Sequence, residues 1–238
     1  MTAEAPILEV KDLVKSFGGL RAVRGVDLAL DRGELRCLIG PNGAGKSTVL
    51  SMLAGVQEPD SGQIVWKGQD ITHTPAHERV RRGISLKFQT THIYRHLTVA
   101  ENLSIPRRGS SNGHVASLIS DLGLNRSLVL PALELSHAEQ QWLEIVLALE
   151  TGPDLLLLDE PTAGMTVEET HSTAALLNRL NSTGLTILVV EHDMAFVRDV
   201  GKRITVLHNG RIFAEGSLSE IEADKDVQRI YLGETANA

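Results

Sequence analysis

One run of nine residues, Gly40-Pro41-Asn42-Gly43-Ala44-Gly45-Lys46-Ser47-Thr48, constrains the fold more than any other part of the chain. It fits G-x-x-x-x-G-K-[ST], a loop whose backbone N–H groups close around phosphates. The glycines let the backbone approach an anion, because no Cβ stands in the way. Lys46 can reach the β- and γ-phosphates, and the Ser47 hydroxyl can reach Mg²⁺. Leu35 to Ile39 reads as a buried strand entering the loop. Ser47 to Ala54 reads as a helix leaving it, stopped by Gly55. Strand, loop, helix is the setting this motif requires. It predicts an α/β fold and a site for a nucleoside triphosphate.

The rest of the composition narrows the class. At 238 residues with 42% hydrophobic and 22% charged residues, the chain reads as a soluble globular protein with a sizeable core. Aromatic residues make up only 3%, so that core is aliphatic. A net charge of −7 argues against bulk binding to nucleic acid. The single cysteine, Cys37, lies in the apolar strand before the loop, where a buried hydrophobe is expected rather than a redox centre. Met1 to Pro6 lacks the basic and apolar regions of a signal peptide. No run approaches the roughly 18 uninterrupted apolar residues of a membrane span. Any membrane association is therefore expected to go through a partner.

Three regions follow one another. Ile7 to about Trp66 is rich in strands: Ile7–Val10, Val26–Leu30 and Gln63–Trp66. Residues 90–141 look helical and broken by loops. There Thr98-x-x-Glu101 is a capping box, residues 106–113 form a basic loop, and His114–Leu122 reads as a short helix before Gly123. The last third returns to α/β alternation. Leu155–Leu158 and Leu185–Val190 are apolar enough for inner strands of a parallel sheet. Thr166 and Glu169, and Ser217 and Glu220, form further capping boxes, and Asp193 can cap a helix. Asn209-Gly210 predicts a tight hairpin.

Several residues carry candidate chemistry. Asp159 ends an apolar strand, where it can hold Mg²⁺ directly or through water. Glu160, the next residue, can accept a proton from an attacking water. Gln89 and His192 each follow an apolar strand. Gln89 reads as a ligand for Mg²⁺ and sensor of the γ-phosphate or as a solvated loop residue. His192 reads as a ligand-contacting residue at the carboxyl end of a parallel strand or as a structural histidine bonded to a carbonyl. Phe17, in the loop Ser16-Phe17-Gly18-Gly19, reads as a stacking surface for a base or as a small core anchor.

In their order along essentially the whole chain, these pieces resemble the ATP-binding subunit of an ABC transporter. The resemblance implies a P-loop NTPase core with a mixed sheet, an N-terminal antiparallel β subdomain and an inserted α-helical subdomain. Residues 1–238 would form one ABC ATPase domain: 7–89 and 142–216 the core, 90–141 the helical subdomain, 217–238 a helical tail. It matches Phe17 to the adenine-stacking aromatic and Gly40 to Thr48 to Walker A. Gln89 matches the Q-loop, Leu135 to Gln140 the signature segment, Leu155 to Asp159 Walker B, Glu160 the catalytic carboxylate and His192 the switch histidine. The cofactors implied are ATP and Mg²⁺, the metal held by Ser47, Gln89 and Asp159. The partners implied are a second ATPase subunit and a permease contacted through residues 90–106, at the cytoplasmic face of the plasma membrane. The second subunit would make a heterodimer, with a homodimer the alternative. Each ATP would lie between the P-loop of one subunit and the signature segment, with Ser136, of the other.

Within the family, the chain resembles ATPases of branched-chain amino acid uptake, most closely the urea or short-chain amide type. The segments carrying this include Trp142 to Ile145, Ala163 to Thr166, Glu191 to Met194 and Tyr231 to Gly233. Two departures stand out. The usual Leu-Ser-Gly-Gly-Gln is Leu135-Ser136-His137-Ala138-Glu139, where Ala138 brings a Cβ to a place of close backbone approach, although the helix N-terminus there can still attract anions. The aspartate common in the loop after Walker B is Thr166. The altered signature implies unequal hydrolysis at the two sites of a dimer. Alternatives are a soluble ABC ATPase without a permease, and a weakly hydrolysing regulatory subunit.

Overall fold

The computed structural model describes residues 5–89, 93–105 and 118–232. Two sheets form around the P-loop strand. The first is antiparallel, ordered β2-β1-β4-β5, from β1 (Leu8–Phe17), β2 (Leu20–Leu30), β4 (Ser61–Trp66) and β5 (Gln69–Asp70). The second is ordered β10-β9-β3-β8-β7-β6, from β3 (Leu35–Ile39), β6 (Ile84–Lys87), β7 (Leu155–Asp159), β8 (Thr186–Val190), β9 (Arg203–His208) and β10 (Arg211–Gly216). All its pairings are parallel except β9 with β10, so the sheet is mixed.

The N-terminal strands are longer than the alternation in sequence predicts. β1 continues past Val10 through a bulge, with register shifts between Val10 and Leu13, and Asp12 takes a left-handed φ of 44°. A bulge adds a residue that breaks period two, which is why the pattern stops early in the sequence. Phe17 accordingly closes β1 rather than lying in a loop, and Gly18-Gly19 make the turn. The tight hairpin forms as expected: His208 pairs with Arg211 across Asn209-Gly210.

The helices are α1 (Lys46–Leu53), α2 (Ala76–Arg81), α3 (Val99–Ser104), α4 (residues 118–121 as described), α5 (His137–Leu149), α6 (Val167–Ser182), α7 (Met194–Val200), α8 (Leu218–Ala223) and α9 (Lys225–Leu232). α1 starts one residue earlier than the sequence predicts. The capping boxes at Thr98, Thr166 and Ser217 form, and Asp193 Oδ1 accepts from Ala195 N–H at 2.7 Å. Residues 106–117, with the basic loop and the start of the His114 helix, lie outside the described residues.

Burial follows the layers. α1 and the antiparallel sheet cover one face of the mixed sheet, through Leu50, Leu53, Leu13, Leu157 and Leu188. α6 and α7 cover the other, through Leu177, Phe196, Leu156 and Val189. A smaller cluster joins Ile93, Val99, Leu103, Leu135, Leu143 and Val146. α1 is anchored at its C-terminal end by Arg79. This fully buried guanidinium donates to the carbonyls of Met52, Leu53, Ile71, Thr72 and Thr74. Those carbonyls include helix-end acceptors that a short helix otherwise leaves unpaired.

Candidate functional site

β3, β6, β7 and β8 are parallel neighbours, so their carboxyl ends meet along one edge of the sheet. β3 delivers the P-loop, β7 delivers Asp159 and Glu160, β8 delivers Glu191 and His192, and β6 leads to Gln89. They enclose a cleft of about 540 Å³ lined by Phe17, Leu20, Ala22, Asn42 to Thr48, Gln89, Glu160 and His192.

The loop needs its glycines for space. A Cβ on Gly40 would lie 2.1 Å from the Leu207 carbonyl oxygen, and one on Gly45 would lie 2.5 Å from that of Ala22. Gly45, with a φ of 104°, is the N-cap of α1, and it has no side chain to bond the first-turn N–H groups. Those donors and the positive end of the helix dipole therefore face the cleft, a ready anion site. Lys46 Nζ donates to the carbonyls of Gly40 at 2.8 Å and Pro41 at 3.1 Å. Burial pulls its pKa below the usual lysine range, opposed by the charges of Glu160, Asp159 and Glu191. Phe17, 46% exposed, presents its ring at the mouth, with Lys15 Nζ 5.7 Å from the ring centroid.

At the next strand, Ser47 Oγ donates to Asp159 Oδ1 at 3.1 Å. Burial raises the Asp159 pKa above the ordinary value, with the Ser47 hydrogen bond opposing it. A hydroxyl beside a carboxylate is a hard-oxygen pair, the donor chemistry Mg²⁺ prefers. No group of three or more His, Cys, Asp or Glu stands ready for a metal among the described residues.

Glu160 adopts a left-handed φ of 46°, sparsely populated for a residue with a Cβ. Strain of this kind persists where the surroundings over-determine the backbone. Here the Glu160 N–H donates to the Val190 carbonyl at 3.0 Å. Its Oε2 accepts from Gln89 Nε2 at 2.9 Å, and its Oε1 lies 3.6 Å from His192 Nδ1. The structure thus gathers Phe17, the whole P-loop, Gln89, Asp159, Glu160 and His192 at one edge.

Ser136 does not line this cleft. It caps α5 in a fourth capping box: Ser136 Oγ accepts from Glu139 N–H at 3.2 Å, and Glu139 Oε2 accepts from Ser136 N–H at 2.8 Å. The pattern S-x-x-E was present in the sequence and went unread there. Ala138 is 2% exposed, so this chain itself covers the methyl expected to intrude on a close approach. His137 Nε2 donates to the Ala163 carbonyl at 2.9 Å, tying the segment to the loop after Glu160. Glu191 was also missed: it is 1% exposed and bridges two site loops, with no local pattern to mark it. Cys37 is buried as expected, and burial, then the Glu191 charge, pushes its thiol up to about 12, so it stays protonated and inert.

The sequence pattern of the ABC transporter family matches residues 23–163, more than half the chain. The chain belongs to the ABC transporter family. This ABC ATPase is 34% identical over 251 residues to the high-affinity branched-chain amino acid transport ATP-binding protein BraF of Pseudomonas aeruginosa, covering 96% of this chain and 98% of the relative. It superposes on a nucleotide-free ATP-binding cassette from an ABC transporter with a TM-score of 0.87 at 30% identity, covering 96% of this chain and 100% of the cassette. A dimeric cassette in a post-hydrolysis state, bound to ADP and Pi, superposes with a TM-score of 0.77 at 28% identity, over 89% and 98% of the two chains. As an ABC ATPase the chain binds nucleotide and hydrolyses ATP in support of transport, together with a membrane permease and a second ATPase subunit. No helix among the described residues is long and apolar enough to cross a membrane.

Proposed function

We propose that this ABC ATPase powers uptake of a small polar solute, a branched-chain amino acid, urea or a short-chain amide, from the cytoplasmic face of the membrane. The observation that carries the mechanism is the meeting of the P-loop, the Ser47–Asp159 pair and the Gln89–Glu160–His192 group at one sheet edge. In this reading the ATP phosphates rest on the P-loop amides and the open N-terminus of α1, and Lys46 offsets the charge of the transferring phosphoryl group. Phe17 carries the adenine. Ser47, Gln89 and Asp159 would hold Mg²⁺, which would supply charge neutralisation to the phosphates. Glu160 orients the attacking water and takes its proton, and His192 and Gln89 hold Glu160 and report the γ-phosphate.

The composite reading places Ser136 on the partner's ATP, most simply in a heterodimer. The permease contact is assigned to residues 90–106. Its support is an exposed apolar surface: Tyr94, Ile105, Val129, Leu130 and Leu133 are all at least 37% exposed. Leu133 N–H donates to the Arg95 carbonyl and Val99 N–H to the Leu130 carbonyl, so the two stretches run side by side. Patches of this kind mark protein contacts. The test is to co-purify the chain with its permease and binding protein, then assay uptake in vesicles. Uptake of leucine or urea driven by ATP supports the proposal. A chain that never associates with a membrane protein overturns it in favour of a soluble ATPase.

A further inference from the structure

We infer that Glu191 is a positioning residue that locks the loop carrying Glu160 to the loop carrying His192. The inference rests on the reading above, in which those two residues act on the nucleotide. Glu191 is a carboxylate 1% exposed, in a setting where a charge is retained only if it is well bonded. Its Oε1 accepts from both the Thr162 N–H at 3.1 Å and the Thr162 hydroxyl at 2.6 Å. Its Oε2 accepts from the His192 N–H at 3.1 Å. Through its own N–H it donates to the Leu38 carbonyl at 3.3 Å, on the strand that feeds the P-loop.

Thr162 lies two residues after Glu160, and His192 directly follows Glu191. One buried side chain therefore fixes the spacing of the two loops whose tips meet at the 3.6 Å approach of His192 Nδ1 to Glu160 Oε1. Backbone pairing between the two loops ends with the Glu160 N–H on the Val190 carbonyl, and beyond that point the Glu191 side chain joins Thr162 to His192. The carboxylate suits the place because it is acceptor-only, and all three facing groups are donors. Glutamine in its place would turn an NH₂ toward either Thr162 or the His192 N–H. Glu191 does not line the cleft, so it acts through Glu160 and His192 and leaves nucleotide affinity to the P-loop.

The experiment is steady-state ATP hydrolysis by the full chain, in the transport complex, with Glu191→Gln, Thr162→Val, Thr162→Ser and Glu160→Gln compared. Charged hydrogen bonds of this kind set the expected size: Glu191→Gln lowers kcat about 10- to 100-fold. KM for ATP stays within about twofold, because affinity resides elsewhere. Thr162→Val lowers kcat by a smaller factor, and Thr162→Ser, which restores the hydroxyl, recovers most of that loss. Should Glu191→Gln fail to fold, the two Thr162 variants decide. Unchanged kcat in folded Glu191→Gln overturns the inference, as does a loss shared equally between kcat and KM, or a Thr162→Ser variant as slow as Thr162→Val. If Glu160→Gln itself leaves the rate unchanged, the catalytic reading falls and the inference with it. If Glu160→Gln abolishes turnover while Glu191→Gln does not slow it, only the inference falls.

Discussion

Two helix N-termini in this molecule are assigned to phosphate, and they are built in opposite ways. α1 begins at Gly45 with no side-chain cap and no acidic residue in its first turn. α5 begins at Ser136 with a closed capping box and Glu139 in its first turn. The free donors of α1 point into the cleft of its own chain. At α5, Glu139 already occupies the Ser136 N–H and brings a negative charge to the place where a partner's phosphate would come. A helix N-terminus favours anions only as far as its donors and its field are unspent. Under the proposed function, nucleotide binding resides in the strand-edge half, and the signature half would first have to release its own cap. On that proposal, any cost of His137-Ala138-Glu139 falls on Glu139, because the Ala138 methyl is buried within the chain.

The strongest loss is predicted at α1. Lys46→Ala should weaken ATP binding about 100-fold or more, because it removes the lysine that the proposed function sets against the phosphates. Calorimetry on the purified chain measures it, and unaltered affinity would remove the P-loop from the site. The next effect is at α5. Glu139→Gln keeps a capping box while removing the charge, and should raise hydrolysis by the assembled ATPase pair several-fold (about threefold to tenfold). A fall instead would mean that the Glu139 charge does not oppose the partner's phosphate.

The smallest effect concerns stability. Asp159 has a folded pKa raised by burial, so its protonated form is the one the fold favours. Its contribution is most favourable below the unfolded pKa and is lost as pH rises through the folded value. At neutral pH it is therefore a destabilising residue kept for function. Asp159→Asn should raise Tm by about 2–4 °C at pH 7, shrink that gain as the pH is lowered into the carboxylate range, and weaken Mg²⁺-dependent nucleotide binding. A thermal scan across pH checks the sign.

Much of the strand-edge half was legible because its chemistry is local. Gly40 to Thr48 is contiguous, and Asp159 and Glu160 directly follow four leucines that can only be an inner strand. What escaped is long-range or irregular. The bulge at Asp12 hid most of β1, from Lys11 to Phe17. Arg79 looks like any helix-surface arginine, yet it collects carbonyls from segments up to 27 residues away. Glu191 meets Thr162 across 29 residues, through a contact that only the parallel pairing of β7 and β8 creates. The Ser136–Glu139 box was missed for a different reason. The same pattern was read at Thr98, Thr166 and Ser217, but here a signature resemblance claimed the residues first. The local physics was legible, and the two readings compete for the same hydroxyl.

In the proposed mechanism Glu160 acts on ATP held by this chain's own P-loop. Glu160→Gln is nearly isosteric and keeps an acceptor for Gln89, but it cannot take a proton. Measuring ATP affinity and single-turnover hydrolysis side by side in the transport complex tests the claim most directly. Affinity within about twofold of the unaltered protein, with hydrolysis slowed about 100-fold or more, is the predicted result. Hydrolysis at an unchanged rate, or a loss of binding in step with the loss of rate, would contradict it.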